Sequence, residues 1–304
     1  EKEISITDLS SSDIDNSTPA TPTVVTADTG TTGIRFTGAL VYQSDLEGKI
    51  TKINLTNMKC DDGSLSGACS NGSSDIKRFD QTTLFQVGSS NANGRFMYHA
   101  LEATLGATTP GLWLYNSTGD FARVNDATPG VENILFGIRD SYFPKFKFEK
   151  DALSADDLTK CSNTTGDLTK KTCPTVTERG WFIKLKDFAK GTAEPTAYGG
   201  RVYFPIYKPT DALDKCALGK AYICGVDDEC GTNVSINELK ASDQGTGKNS
   251  CKEVGEGVLS KIIVFANKLF ANISGVSINE EDIISIDTGQ IDSVSMRNSW
   301  RQNY

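Results

Sequence analysis

The chain has 304 residues, with 31 Lys and Arg against 39 Asp and Glu, a formal net charge of −8 and a pI near 4.9. An acidic chain without a basic block is excluded as a nucleic-acid binder, because phosphate recognition requires clustered Lys and Arg. No stretch approaches the roughly 20 apolar residues of a membrane span; the longest apolar run is IIVFA at 262–266.

Residues 1–33 are a polar N-terminal segment, a candidate partial blade, with TPTVV at 21–25 as the one expected strand. From 34 to 304, short apolar runs recur between turn signals: IRFTGALVYQ, KITKINL, TTLFQV, RFMYHALEATL, GLWLYN, NILFGI, GWFIKL, GGRVYFPIY, KAYIC, VLSKIIVFANKLFANIS and EDIISID. These runs often alternate and lack the i, i+3, i+4, i+7 stripe of an amphipathic helix. The 28 glycines and abundant Ser, Thr, Asn and Asp supply many turns, so the fold class is all-β. One segment, DALSADDLTK at 151–160, reads as a short helix. A loose hairpin unit recurs in LVYQ-SDLEG-KITKINL, LWLY-NSTGD-FARVN, RVYFPIY…KAYIC and KIIVFA-NK-LFANIS. Units of about 40–50 residues with several short strands describe β-propeller blades, with a β-sandwich as the alternative.

The eight cysteines fall in local groups: Cys60 and Cys69; Cys161 and Cys173; then Cys216, Cys224, Cys230 and Cys251. Each group lies in a polar segment between apolar runs, which predicts disulfides stapling loops in an oxidising compartment. The first two groups form pairs, and the last four allow three connectivities. No CxxC spacing occurs and His99 is the single histidine, so a zinc site is not indicated. The seven N-x-S/T sequons, at Asn16, Asn54, Asn71, Asn116, Asn163, Asn233 and Asn272, are read as compositional.

Catalytic motifs are missing: no nucleophile elbow, P-loop, HExxH or haem-attachment pattern occurs. A histidine-dependent mechanism would have to use His99, which sits in an apolar and aromatic run and reads as a packed residue. The cluster at Lys145, Lys147 and Lys150 reads as a solvated strand face. Calcium takes oxygen ligands from Asp and Asn around a Gly turn. Three segments carry part of that chemistry: Asp13, Asp15 and Asn16; Asp28 with Gly30; and Asp227, Asp228 and Glu229.

Five segments in order then carry a resemblance. VYQSDLEGKITKINL at 41–55 resembles the VYxGDLxGNLWKFDL hairpin of the PilY/PilC family of type IV pilus tip-associated adhesins and assembly factors. LFGIRD at 135–140 is similar to that family's FYGIWD element. RGWFIKL at 179–185 and EPTAYGGRVYFPIYKPT at 194–210 resemble its GWYLDL…xPxVxGGxVYFxTYxPT run, followed by Cys216 and the strand KAYIC. SMRNSWRQNY at 295–304 resembles the closing RRxSWRxL tail.

The resemblance implies that 34–304 is a modified β-propeller of about seven blades related to quinoprotein folds, complete or lacking its first blades, with disulfide-clipped loop insertions. It implies a non-catalytic protein exported through the periplasm to the cell surface or pilus tip. There it would promote pilus assembly and adhere to host or abiotic surfaces. The implied partners are minor pilins or the major pilin, and another chain carrying a missing N-terminal part. The first residue is Glu1, so a processed or excised fragment is expected.

Calcium is the one cofactor the resemblance brings in, at a loop just before the VYxGD strand. Here that loop keeps a single acidic residue, Asp28, and no RGD tripeptide occurs. Two alternatives follow from the fold type. One is a PQQ- and calcium-dependent dehydrogenase, against which Trp113, Trp181 and Trp300 do not recur at blade spacing. The other is a carbohydrate-binding propeller using aromatics such as Tyr142 and Tyr207, which otherwise read as core or strand-face residues.

Overall fold

Runs of Val, Ile, Tyr and Phe broken by Gly, Asn and Asp form strands wherever a neighbouring run offers backbone partners. The computed structural model describes residues 17–28, 36–64, 69–70, 72–89, 94–127, 132–149, 152–154, 159–160, 179–210, 218–231, 251–275 and 283–288. Among these residues there are strands and turns and no helix.

Four sheets follow one another along the chain. The first is an antiparallel meander of β1 (Thr23–Asp28), β2 (Phe36–Ser44), β3 (Lys49–Asn54) and β4 (Gln81–Gln86). The second contains β5 (Glu102–Leu105), β6 (Leu112–Ser117), β7 (Ile134–Asp140), β8 (Thr159–Lys160) and β9 (Gly180–Lys184), in the order β5-β6-β7-β9-β8. Only its β8–β9 pairing is parallel. The third contains β10 (Lys190–Gly191), β11 (Thr196–Tyr198), β12 (Arg201–Lys208), β13 (Lys220–Asp227) and β14 (Cys251–Glu256), with β10 and β11 both on β12. In the fourth, β15 (Val258–Leu259), β16 (Ile263–Phe265) and β18 (Ile283–Asp287) all pair with β17 (Lys268–Ser274).

The alternation of side chains along each strand explains how the sheets stack. Leu112, Leu114, Ile134 and Phe136 of the second sheet face Leu40, Tyr42 and Ile50 of the first. The intervening positions Trp113, Tyr115 and Leu135 face Val202, Phe204 and Val226 of the third sheet. The third sheet turns its other face, with Tyr203, Ala221 and Ile223, onto Leu269, Ala271 and Ile273 of the fourth. Three apolar cores thus lie between four sheets, and the middle sheets are buried on both faces. This is the stacking of successive propeller blades. The far face of the fourth sheet leaves Ile263, Phe265 and Ile283 exposed.

Three of the four expected hairpins form. In the first, Gly48 adopts a φ of 72° and lies so close to Val87 that a Cβ would meet its methyl at 2.2 Å. The hairpin joining β16 to β17 turns through Ala266 and Asn267, both at positive φ, which suits strand twist. The expected LWLY-NSTGD-FARVN hairpin does not form. β6 pairs instead with β7, and the FARVN segment is a series of turns. Asp120 holds it there, accepting hydrogen bonds from the Arg123 amide at 3.2 Å and from Arg123 Nε at 2.6 Å.

The helix expected at 151–160 is also corrected where that segment is described. The Leu153 amide donates to Leu84 O at 3.0 Å, and Leu153 O accepts from the Gln86 amide at 2.8 Å. Thr159 and Lys160 form β8. Burial of Leu153 in the first core, with edge pairing to β4, overrides local helix propensity.

Candidate functional site

The ends of β2 and β6 lie along one rim, and the segment 94–101 crosses between them. His99 O is the junction: it accepts from Ser44 Oγ at 3.0 Å and from Asn116 Nδ2 at 2.9 Å. The chain leaving β6 then passes β10, where Gly191 N donates to Thr118 O and Lys190 Nζ donates to the carbonyls of Arg123 and Asp126.

Aromatic side chains gather on this rim. Phe121 is 41% exposed. Its ring centroid lies 5.3 Å from that of His99, edge to face, and 6.4 Å from that of Tyr98. Phe96 packs beneath Tyr98. Asp120 accepts from Tyr98 Oη at 3.3 Å as well as from Arg123. Burial lowers the pKa of His99 to about 4, against an opposing effect of the Gly191 carbonyl, so the imidazole is neutral at physiological pH. Its Nε2 is buried without a hydrogen-bond partner, as are Ser117 Oγ and Asp45 Oδ2 on the same rim.

Each group singled out in the sequence has a definite place or lies outside the described residues. Asp13 and Asp15 lie outside them. Asp28 ends β1, its backbone opposite Phe36 after a register irregularity. The segment Asp227–Asp228–Glu229 is occupied by the protein itself. Asp227 Oδ1 caps the turn by accepting from the amides of Glu229 and Cys230. The Glu229 carboxylate accepts from the amides of Ala107, Thr108 and Thr109 and from Thr109 Oγ1. Burial works to raise its pKa, but these donors outweigh it and hold the carboxyl below its usual range. Among the described residues, no three His, Cys, Asp or Glu side chains are grouped to hold a metal ion.

Cys60 is bonded to Cys69 across a Cα separation of 5.5 Å, and Cys224 to Cys251 across 3.9 Å, directly opposite on β13 and β14. Cys230 is also disulfide-bonded. Cys161, Cys173 and Cys216 lie outside the described residues. Of the sequon asparagines, Asn54 and Asn116 are fully buried and spend their amides on Lys77 O and His99 O.

The aromatic pair considered for sugar binding is corrected in one member. Tyr207 is 1% exposed; its hydroxyl donates to Asn125 and accepts from the Gly219 amide. Tyr142 is half-buried under the Lys147 ammonium and Arg179 guanidinium. Lys145 Nζ donates to Asp62 O, so the basic stretch is tied into its surroundings. Sequence reading missed the Phe96–Tyr98–Phe121 cluster, because Phe121 reads as a strand residue when FARVN is taken for a strand.

No protein-family model matches the sequence, and neither does any curated protein. Among solved structures, the C-terminal domain of Pseudomonas aeruginosa PilY1 is similar, with a TM-score of 0.51 and 16% identity over 88% of this chain. The fold is a PilY1-like β-propeller. The chain spans 60% of the length of that PilY1 domain. The PQQ-bound aldose sugar dehydrogenase of Streptomyces coelicolor is a more distant neighbour, with a TM-score of 0.24 and 10% identity over 84% of this chain and 80% of that one. At that score it carries no argument about this PilY1-like fold.

Proposed function

We propose that the chain is a pilus-associated propeller that acts without catalysis, promoting assembly of type IV pili and adhesion at the cell surface. The PilY1-like stacking of four sheets supports this reading most directly, and the ordered segments from VYQSDLEGKITKINL to SMRNSWRQNY agree with it. Binding is by shape: disulfides stiffen loops beside the sheets and so preorganise a contact surface. The partners are minor pilins or the major pilin, and the disulfides suit an extracellular site. Among the described residues no helix is long and apolar enough to cross a membrane.

The test is capture of major and minor pilins from the same source by the immobilised chain, alongside pilus counts in a deletion strain. Retention of a pilin and loss of surface pili are expected. Normal piliation in the deletion strain, with no pilin retained, would sink the proposal.

A further inference from the structure

We infer that Lys52 and Asp140 are the two halves of a self-forming isopeptide bond that joins the first sheet to the second. Lys52 Nζ lies 2.5 Å from Asp140 Oδ2, and neither side chain has any exposed surface. Lys52 is on β3 and Asp140 ends β7, so the contact crosses the seam between the two sheets. Apolar side chains of the first core surround it, with the Phe146 ring centroid 5.6 Å from the ammonium. A nucleophile held against a carboxyl group in a site without water needs little further approach to react.

The other contacts of Asp140 supply what acyl transfer requires. The Tyr142 amide donates to Oδ1 at 3.1 Å, where negative charge develops when the amine adds to the carboxyl carbon. Tyr42 Oη donates to Oδ2 at 2.7 Å, and Oδ2 is the oxygen that must leave. Lys145 O accepts from Lys52 Nζ at 3.0 Å and holds the nitrogen in place. The step balances without a co-reactant. The ammonium passes one proton to Oδ2, and the freed electron pair of the amine forms the Nζ–Cγ bond. A second proton moves from the nitrogen to Oδ2, with the Tyr42 hydroxyl as relay, and the Cγ–Oδ2 bond breaks. Water leaves carrying both protons, and Oδ1 becomes the carbonyl of a neutral amide. Burial favours this product, because a buried ion pair is costly and an amide carries no charge.

Intact mass spectrometry of the reduced, denatured chain tests the bond directly. The expected mass is that of the sequence less one water, and trypsin should release residues 50–59 joined to residues 140–145 as one branched peptide. Lys52→Met should restore the full mass. Tyr42→Phe, which keeps the packed ring and removes the relay, should raise the unlinked fraction about tenfold or more. Full sequence mass in the parent, with a tryptic peptide ending at Lys52, overturns the inference whether or not any variant folds. A mass deficit that persists in Lys52→Met overturns it as well. The pilus reading rests on the fold and stands under either result.

Discussion

Lys52 and Asp140 meet at 2.5 Å between the first and second sheets, and neither side chain is exposed. Lys52 faces the second sheet beside its cross-strand neighbour Tyr42, whose Oη donates to Asp140 Oδ2 at 2.7 Å. Lys52 Nζ also donates to Lys145 O at 3.0 Å. Removing one charge from such a pair strands the other. Asp140→Ala should therefore cost about 3–5 kcal/mol in urea unfolding. The double variant Lys52→Met/Asp140→Asn should recover a large part of that loss, because no charge is left buried and Tyr42 keeps an acceptor. A double variant no more stable than Asp140→Ala would count against this account.

Asp45 predicts a pH dependence of the opposite sense to most carboxylates. Burial pushes its pKa from the ordinary 3.8 up to about 6, the Lys49 amide and ammonium oppose the shift, and Glu47 adds to it. The folded state therefore binds the proton more tightly than the unfolded chain. This contribution is fully present below the ordinary carboxyl range and is lost as pH rises through about 6. Asp45→Asn should stabilise the chain by about 1–2 kcal/mol at neutral pH, with the gain vanishing under acid conditions. Urea midpoints across that range provide the measurement.

Glu229 has the reverse sign. Its carboxyl is held low by the donors from 107–109, so its contribution is present at neutral pH and lost as acid titrates it below the usual range. Glu229→Ala leaves several amides of that turn without their acceptor and should cost about 2–3 kcal/mol. In hydrogen exchange, the amides of Ala107, Thr108 and Thr109 should lose protection before the rest of the second sheet. Unchanged protection there would rule out the clamp.

The Cys224–Cys251 bond closes 27 residues of sequence separation across adjacent strands. Loop-closure entropy gives it a stabilisation of about 3.5 kcal/mol. Cys224→Ser/Cys251→Ser should lower the melting temperature by several degrees while keeping the β-rich circular dichroism spectrum.

Strand positions were largely legible because the chain alternates and because turn residues sit between the runs. β2, β3, β12, β13 and β17 all fall on segments that read as strands. What remained hidden depends on contacts distant in sequence. Lys52 lies in the KITKINL run, and nothing nearby in the sequence announces that Asp140 will neutralise it. Leu153 reads as helical because its pairing with β4 is invisible locally. The acidic loop after β13 carries part of a calcium site's chemistry in sequence, and composition cannot reveal that Glu229 is already committed to the amides of Ala107, Thr108 and Thr109. The rim cluster escaped for a related reason: Phe121 joins Tyr98 and His99 only after the chain turns on Asp120.

Trp181 lies against both Gly137 and Gly231, where a Cβ would meet its ring atoms at 2.7 and 2.4 Å, and its indole N–H donates to Asp228 O at 2.9 Å. Trp113 shares the same core, and both are fully buried. The seam between the second and third sheets therefore carries its own optical label. Blue-shifted emission from these two indoles should redden when that seam opens, while the seam between the third and fourth sheets, which holds no tryptophan among its described core residues, stays dark to the same measurement.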